Sequence, residues 1–168
     1  MTLSMYDASV PAFIRGLTSL DAILDKAAAY AEAKKIEPAT LITFRLAPDM
    51  ATFARQIQIA TDGVKGGAAR LAEVEIPSFP DTETTFPELK ERIAKTIAFL
   101  EGLAAEKFAG AEDRTVTLKL GPNDMTFPAK QYLFGFVIPN FYFHLTTAYA
   151  ILRHNGLEIG KRDFLGGM

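Results

Sequence analysis

A chain of 168 residues with 49% apolar side chains, 13 of them Phe, is long enough to bury one sizeable core, and a single domain over residues 1–168 is the simplest expectation. Lys and Arg number 18 against 20 Asp and Glu, with no block of like charge, which argues against nucleic acid as a partner. The absence of Cys removes thiol nucleophiles, thiolate metal ligands and disulfides together, and suits a cytoplasmic protein. The start, Met1 to Asp7, has no basic stretch leading into an apolar one, and no apolar run reaches membrane-spanning length, so no membrane partner is expected.

Helical periodicity governs the first hundred residues. Ser9-Val10-Pro11 reads as a cap with proline in the first turn, and Phe13, Leu17, Leu20, Leu24, Ala27 and Ala31 recur at the spacing of one helix face, with Arg15, Asp25 and Lys26 opposite. Ala47-Pro48-Asp49 announces a second helix, striped by Met50, Phe53, Ile57, Ala60, Val64, Gly67 and Leu71 and ended between Glu73 and Pro80. Thr85-Phe86-Pro87-Glu88 is a third start signal. Leu89, Ile93, Ile97, Leu100 and Ala104 face inward from it, and Glu88, Glu91, Arg92 and Lys95 outward.

The period then drops from about four to two, because Val116, Leu118 and Leu120 alternate with Thr115, Thr117 and Lys119. Gly121-Pro122-Asn123-Asp124 is a turn sequence, and Met125 and Phe127 resume the alternation, which predicts a hairpin at residues 114–128. A fourth helix is expected from about Pro139 to His154, closed by a left-handed cap at Gly156. The segment Gly160 to Met168 is expected to pack back on the rest. Four amphipathic helices without an internal repeat, and a long excursion before the last, predict an all-α fold: a four-helix bundle with a small hairpin between helices three and four.

The fourth helix holds the best candidate for chemistry. At about 100° per residue Asn140, Thr147, Ala148 and Ile151 all lie within about 60° of His144, so His144 faces the interior with Asn140 one turn before it. On helix two, Gln56 sits at the edge of the apolar stripe and can reach the same space, whereas Gln58 points away. A core histidine satisfied by a neighbouring amide or carbonyl is the more frequent outcome for such a residue. His154 reads as a C-terminal histidine interacting with the helix dipole. Gly63, Gly66 and Gly67 read as points of close helix approach, since they lack the strand before and the Lys-Ser/Thr after that a phosphate loop needs. Met5, Tyr6, Phe141, Tyr142, Phe143 and Tyr149 form an aromatic-rich set that lines a pocket or fills the core.

The run Pro139 to Gly156, with Ile159 to Gly166 after it and Leu46 to Met50 through Gln56, Gln58 and Ala60 to Gly63 before it, is similar to a bacterial family of unknown function. That family resembles the DinB and YfiT-like superfamily of metalloenzyme-type bundles. The resemblance implies a four-helix bundle, often dimeric. It also implies a divalent metal held by three histidines, one on helix two and a His-x-x-x-His pair on the last helix, and in some members thiol-transferase activity. His144 stands nine residues before Arg153, where the second histidine of the pair falls. The first corresponds to Asn140, helix two has no histidine, and Gln56 is the polar residue placed at that corner.

Carboxamide oxygens are weak neutral donors, so a His-Asn-Gln set is expected to lose most affinity for zinc or nickel, with His144 the one weak metal candidate. The leading expectation is a metal-independent, homodimeric binding or interaction protein without a cofactor, whose Gln56, Asn140 and His144 hold a small molecule or specify packing. The alternative is a divalent-metal enzyme of thiol-transferase or hydrolase type, in which His144 is a ligand or general base completed by Asp49, Asp62 or Asp163.

Overall fold

A computed structural model describes residues 3–120 and 123–167. Helix α1 spans Val10–Lys34 and begins with Pro11 in its first turn. Ser9 precedes it without capping it: the Ser9 hydroxyl donates to the Met5 carbonyl at 2.6 Å. A short helix not expected from the sequence, α2 at Pro38–Thr43, carries the chain to α3 at Phe53–Ala72. The side chain of Thr52 caps α3 by accepting from the Arg55 N–H, so this helix starts three residues later than Met50. Helix α4, Phe86–Glu101, opens with a full capping box between Thr85 and Glu88.

Two 3-10 turns, Ala105–Phe108 and Ala111–Asp113, lead into strands β1 (Thr115–Leu120) and β2 (Asn123–Pro128). They pair antiparallel with Val116 opposite Phe127 and Leu118 opposite Met125. Val116 and Leu118 turn to the core, whereas Met125 is largely exposed. Gly121 and Pro122 of the expected turn lie outside the described residues.

The last long helix differs most from expectation. Helical structure begins at α5 (Ala129–Tyr132), passes through a π turn at Leu133–Val137 and continues as α6 (Ile138–His154), ten residues before Pro139. Proline has no N–H for the carbonyl four residues back, and the five-residue spacing of a π turn lets a residue beyond the proline serve instead. The π turn thus lets one helix continue through a residue that ordinarily starts one.

Helix α3 packs most extensively on α6 and α1 on α4, and contacts of α3 with α4 and of α1 with α6 close the ring. The first two long helices therefore sit diagonally across a four-helix bundle. All six apolar positions expected on α1 are buried, as are Phe53, Ile57, Ala60, Val64 and Leu71 of α3. Close approach is explicit at two glycines: a Cβ on Gly67 would meet Val137 at 2.6 Å, and one on Gly16 would meet the Phe141 ring at 2.8 Å. Gly66 faces only Arg70 of its own helix.

Gly156 adopts φ 92°, the expected left-handed cap, and a Cβ there would meet at 2.7 Å the Tyr30 hydroxyl, which donates to the Asn155 carbonyl at 3.0 Å. His154 ends α6 with its ring against Phe44. Beyond it, α7 (Lys161–Phe164) packs back on α1: Asp163 pairs with Lys26 at 2.5 Å and Phe164 meets Tyr149 edge-on. No described helix is long and apolar enough to cross a membrane.

Candidate functional site

Gln56 and His144 meet across the α3–α6 interface. Gln56 is 1% exposed, and its amide is anchored by donating from Nε2 to the carbonyl of Ala51 at 3.0 Å, just before the helix begins. That orientation turns Oε1 toward α6, where the Nδ1–H of His144 donates to it at 2.7 Å. The bond selects the Nδ1–H tautomer and leaves Nε2 with a lone pair. Burial, and then the positive charge of Arg55, hold the imidazole below the usual histidine range, so it is neutral at pH 7. Because Gln56 is buried, the Nδ1 edge faces inward and the half-exposed remainder of the ring faces out.

Asn140 lies one turn before His144, half-buried, with its amide against Gly63: a Cβ there would sit 3.2 Å from Asn140 Nδ2. The three residues share one region of the α3–α6 interface, but only Gln56 and His144 bond to one another. None of five concavities described, of about 270 to 800 Å3, is lined by any of the three. Of the aromatic set, Met5 and Phe141 are core, whereas Phe143 stands 55% exposed beside the imidazole, ring to ring at 5.2 Å.

Two other polar residues are buried where the helix wheels put them outside. Arg92 of α4 has a side chain only 1% exposed. Its Nε donates to Thr61 at 2.8 Å, one terminal nitrogen reaches Glu83 at 3.0 Å and the Pro80 carbonyl at 3.2 Å, and the other faces Asp62 at 2.8 Å and Asp81 at 3.0 Å. Gln58 donates to Glu83 at 2.9 Å and accepts from Arg55, which also pairs with Asp81. Lys65 pairs with Asp62 at 2.8 Å and lies 4.0 Å above the Phe79 ring. The cover comes from the 73–85 segment, a strap between α3 and α4 that a helix wheel does not see. Burial alone would raise the Glu83 carboxyl, but hydrogen bonds from Arg92 and Gln58 outweigh it and hold the group below the usual glutamate range.

A divalent metal of the kind the superfamily binds does not fit these residues. Gln56 spends its oxygen on His144 and its nitrogen on Ala51. Asp62 is engaged by Arg92 and Lys65, Asp163 by Lys26 and the Gly160 N–H, and Asp49 is exposed ahead of α3. Among the described residues no three His, Cys, Asp or Glu side chains converge as a metal would require. The set offers one imidazole nitrogen and one amide, too few and too weak for zinc or nickel.

Bundle topology and the hairpin before the last long helix define a four-helix bundle of the DinB-like kind. A crystal structure of a DinB family member from Shewanella denitrificans superposes with a TM-score of 0.88 at 43% identity, covering 98% of this chain and 93% of that one. Over residues 5–165 the sequence matches the family described as domain of unknown function (DUF1993), and the chain belongs to that family. No curated protein matches it.

Proposed function

We propose that this protein is a metal-independent binding protein of the cytoplasm, in which Gln56, Asn140 and His144 stand where related bundles place metal ligands. The observation behind the reading is the 2.7 Å bond between Gln56 and His144. It joins α3 to α6 and leaves a neutral imidazole whose Nε2 can accept a hydrogen bond at the bundle's rim. A small molecule with an N–H or O–H donor is the matching ligand class, with the Asn140 amide as second contact and the exposed Phe143 ring as an apolar one. A homodimer is part of the proposal: Phe136 and Phe143, two turns apart, leave large apolar surface on the last long helix, which a second copy would cover. Gel filtration at 18.4 kDa would remove the dimer.

The second reading is a divalent-metal enzyme of thiol-transferase or hydrolase type, favoured by the free Nε2 of a neutral histidine. Total-metal analysis of tag-free protein beside His144→Ala separates the two. The binding reading expects no stoichiometric metal, a folded variant, and small molecules seen by native mass spectrometry on the wild type only. Stoichiometric zinc or nickel lost in His144→Ala would overturn it in favour of the enzyme.

A further inference from the structure

Beside the first turn of α3 lies a cleft of about 600 Å3 that does not include His144. It is walled by Ile42 of α2, by Arg45, by Ala54 and Arg55 of α3 and by Glu83 of the strap. Its lining carries two arginines against one carboxylate, with Asp81 paired to Arg55 just outside it, although the chain is net −2. Glu83 is the acidic residue in the lining, and its carboxylate is already engaged by Arg92 and Gln58. Both arginines are held at one end only: a single terminal nitrogen of Arg45 donates to the Met50 carbonyl, and a single terminal nitrogen of Arg55 serves both Asp81 and Gln58. In each case Nε and the second terminal nitrogen have no partner among the described residues. These are the two parallel donors with which a guanidinium grips a carboxylate or phosphate. Pinning the opposite end restricts the side chain beforehand, which lowers the entropy lost on binding.

We propose that this cleft binds a small oxyanion-bearing molecule, its carboxylate or phosphate gripped by Arg45 and Arg55 and its apolar part seated on Ile42 and Ala54. The proposal is independent of whether the Gln56–His144 cluster takes a ligand. It also links the two places: burial first and then the Arg55 charge hold the His144 titration down, and an anion on Arg55 offsets the second of these and moves the titration upward.

The test titrates the full-length 15N-labelled protein with inorganic phosphate and, separately, with succinate, at constant ionic strength set with chloride. Amide and imidazole resonances are followed in the wild type, Arg45→Gln, Arg55→Gln and the exposed-lysine control Lys130→Gln. Saturable binding of at least one anion is expected. Affinity should fall about tenfold or more in each arginine variant, stay unchanged in Lys130→Gln, and come with an upward shift of the His144 titration in the wild type. Which anion saturates identifies phosphate or carboxylate as the group recognised. No saturation by either, or an affinity equally weakened in the lysine control, overturns the proposal. Arg45→Gln, which gives up only the bond to Met50, decides alone if Arg55→Gln disturbs the strap.

Discussion

Replacing Arg92 with Met keeps most of the side-chain stem in place and removes the charge, so it isolates what the guanidinium does under the strap. Removing one partner of a buried ion pair costs about 3–5 kcal/mol, most of it from the charge left behind. Here the three carboxylates are not equally buried. The side chains of Asp62 and Asp81 are 41% and 37% exposed and each keeps a second cation, Lys65 or Arg55, whereas Glu83 is 10% exposed and keeps only Gln58 and its own backbone N–H. One stranded carboxylate, with the Thr61 hydroxyl and Pro80 carbonyl losing their donor, places the loss near the lower end, about 3 kcal/mol. For a chain of this length that corresponds to a fall in Tm of about 6–12 °C. Urea denaturation at pH 7 and calorimetry measure it. The same substitution in a Glu83→Gln background should cost clearly less, because the stranded charge is gone. Glu83 is held below its unfolded-state pKa, so its contribution is complete above the ordinary glutamate range and disappears as pH falls through the lowered value. The gap between wild type and Arg92→Met should therefore narrow in acid. A loss under about 1 kcal/mol at pH 7, or one equally large in both backgrounds, would refute the view that this network pins the strap.

Gly67→Ala should destabilise the protein by about 1–3 kcal/mol, because the new Cβ would sit 2.6 Å from the branched Val137 side chain at the tightest point of α3 on the last helix. Gly63→Ala meets only the end of the Asn140 amide at 3.2 Å, so the helix-propensity gain of up to about 1 kcal/mol should leave it neutral or slightly stabilised by urea denaturation. Gln56→Glu puts a carboxylate opposite the His144 Nδ1–H and should raise the imidazole titration measured by NMR; an unchanged or lower value would show that the two side chains do not meet in solution. In the wild type His144 titrates below its unfolded value, so protonation opposes folding: stability falls as pH drops from the ordinary histidine range through the lowered value. A His144→Gln variant should lack this component in a pH series of denaturation curves.

What was legible in the sequence is what repeats locally. The stripes of α1 and α3, the Thr85–Glu88 capping box and the alternation at Val116 and Leu118 each report one buried face of one element, and the structure keeps them. The same wheel arithmetic put Asn140 and His144 on one face and Gln56 at the edge of its own stripe, within reach of the same space, because a helix of known period projects its side chains in known directions. It did not find the ten helical residues before Pro139, since proline reads as a start and a π turn breaks the period around Leu133–Val137. Nor did it bury Arg92 and Gln58, which lie off the apolar stripes and are covered by a strap that belongs to neither helix. The sequence by itself determined the apolar stripes of α1 and α3, the hairpin alternation and the placing of Gln56 within reach of the His144 face, because these follow from helical period and residue chemistry. Tertiary structure alone decided that Gln56 and His144 bond to one another, where the Arg45–Arg55 cleft opens and which charges lie beneath the strap. Those features depend on distant segments brought together by packing, and no local period encodes that.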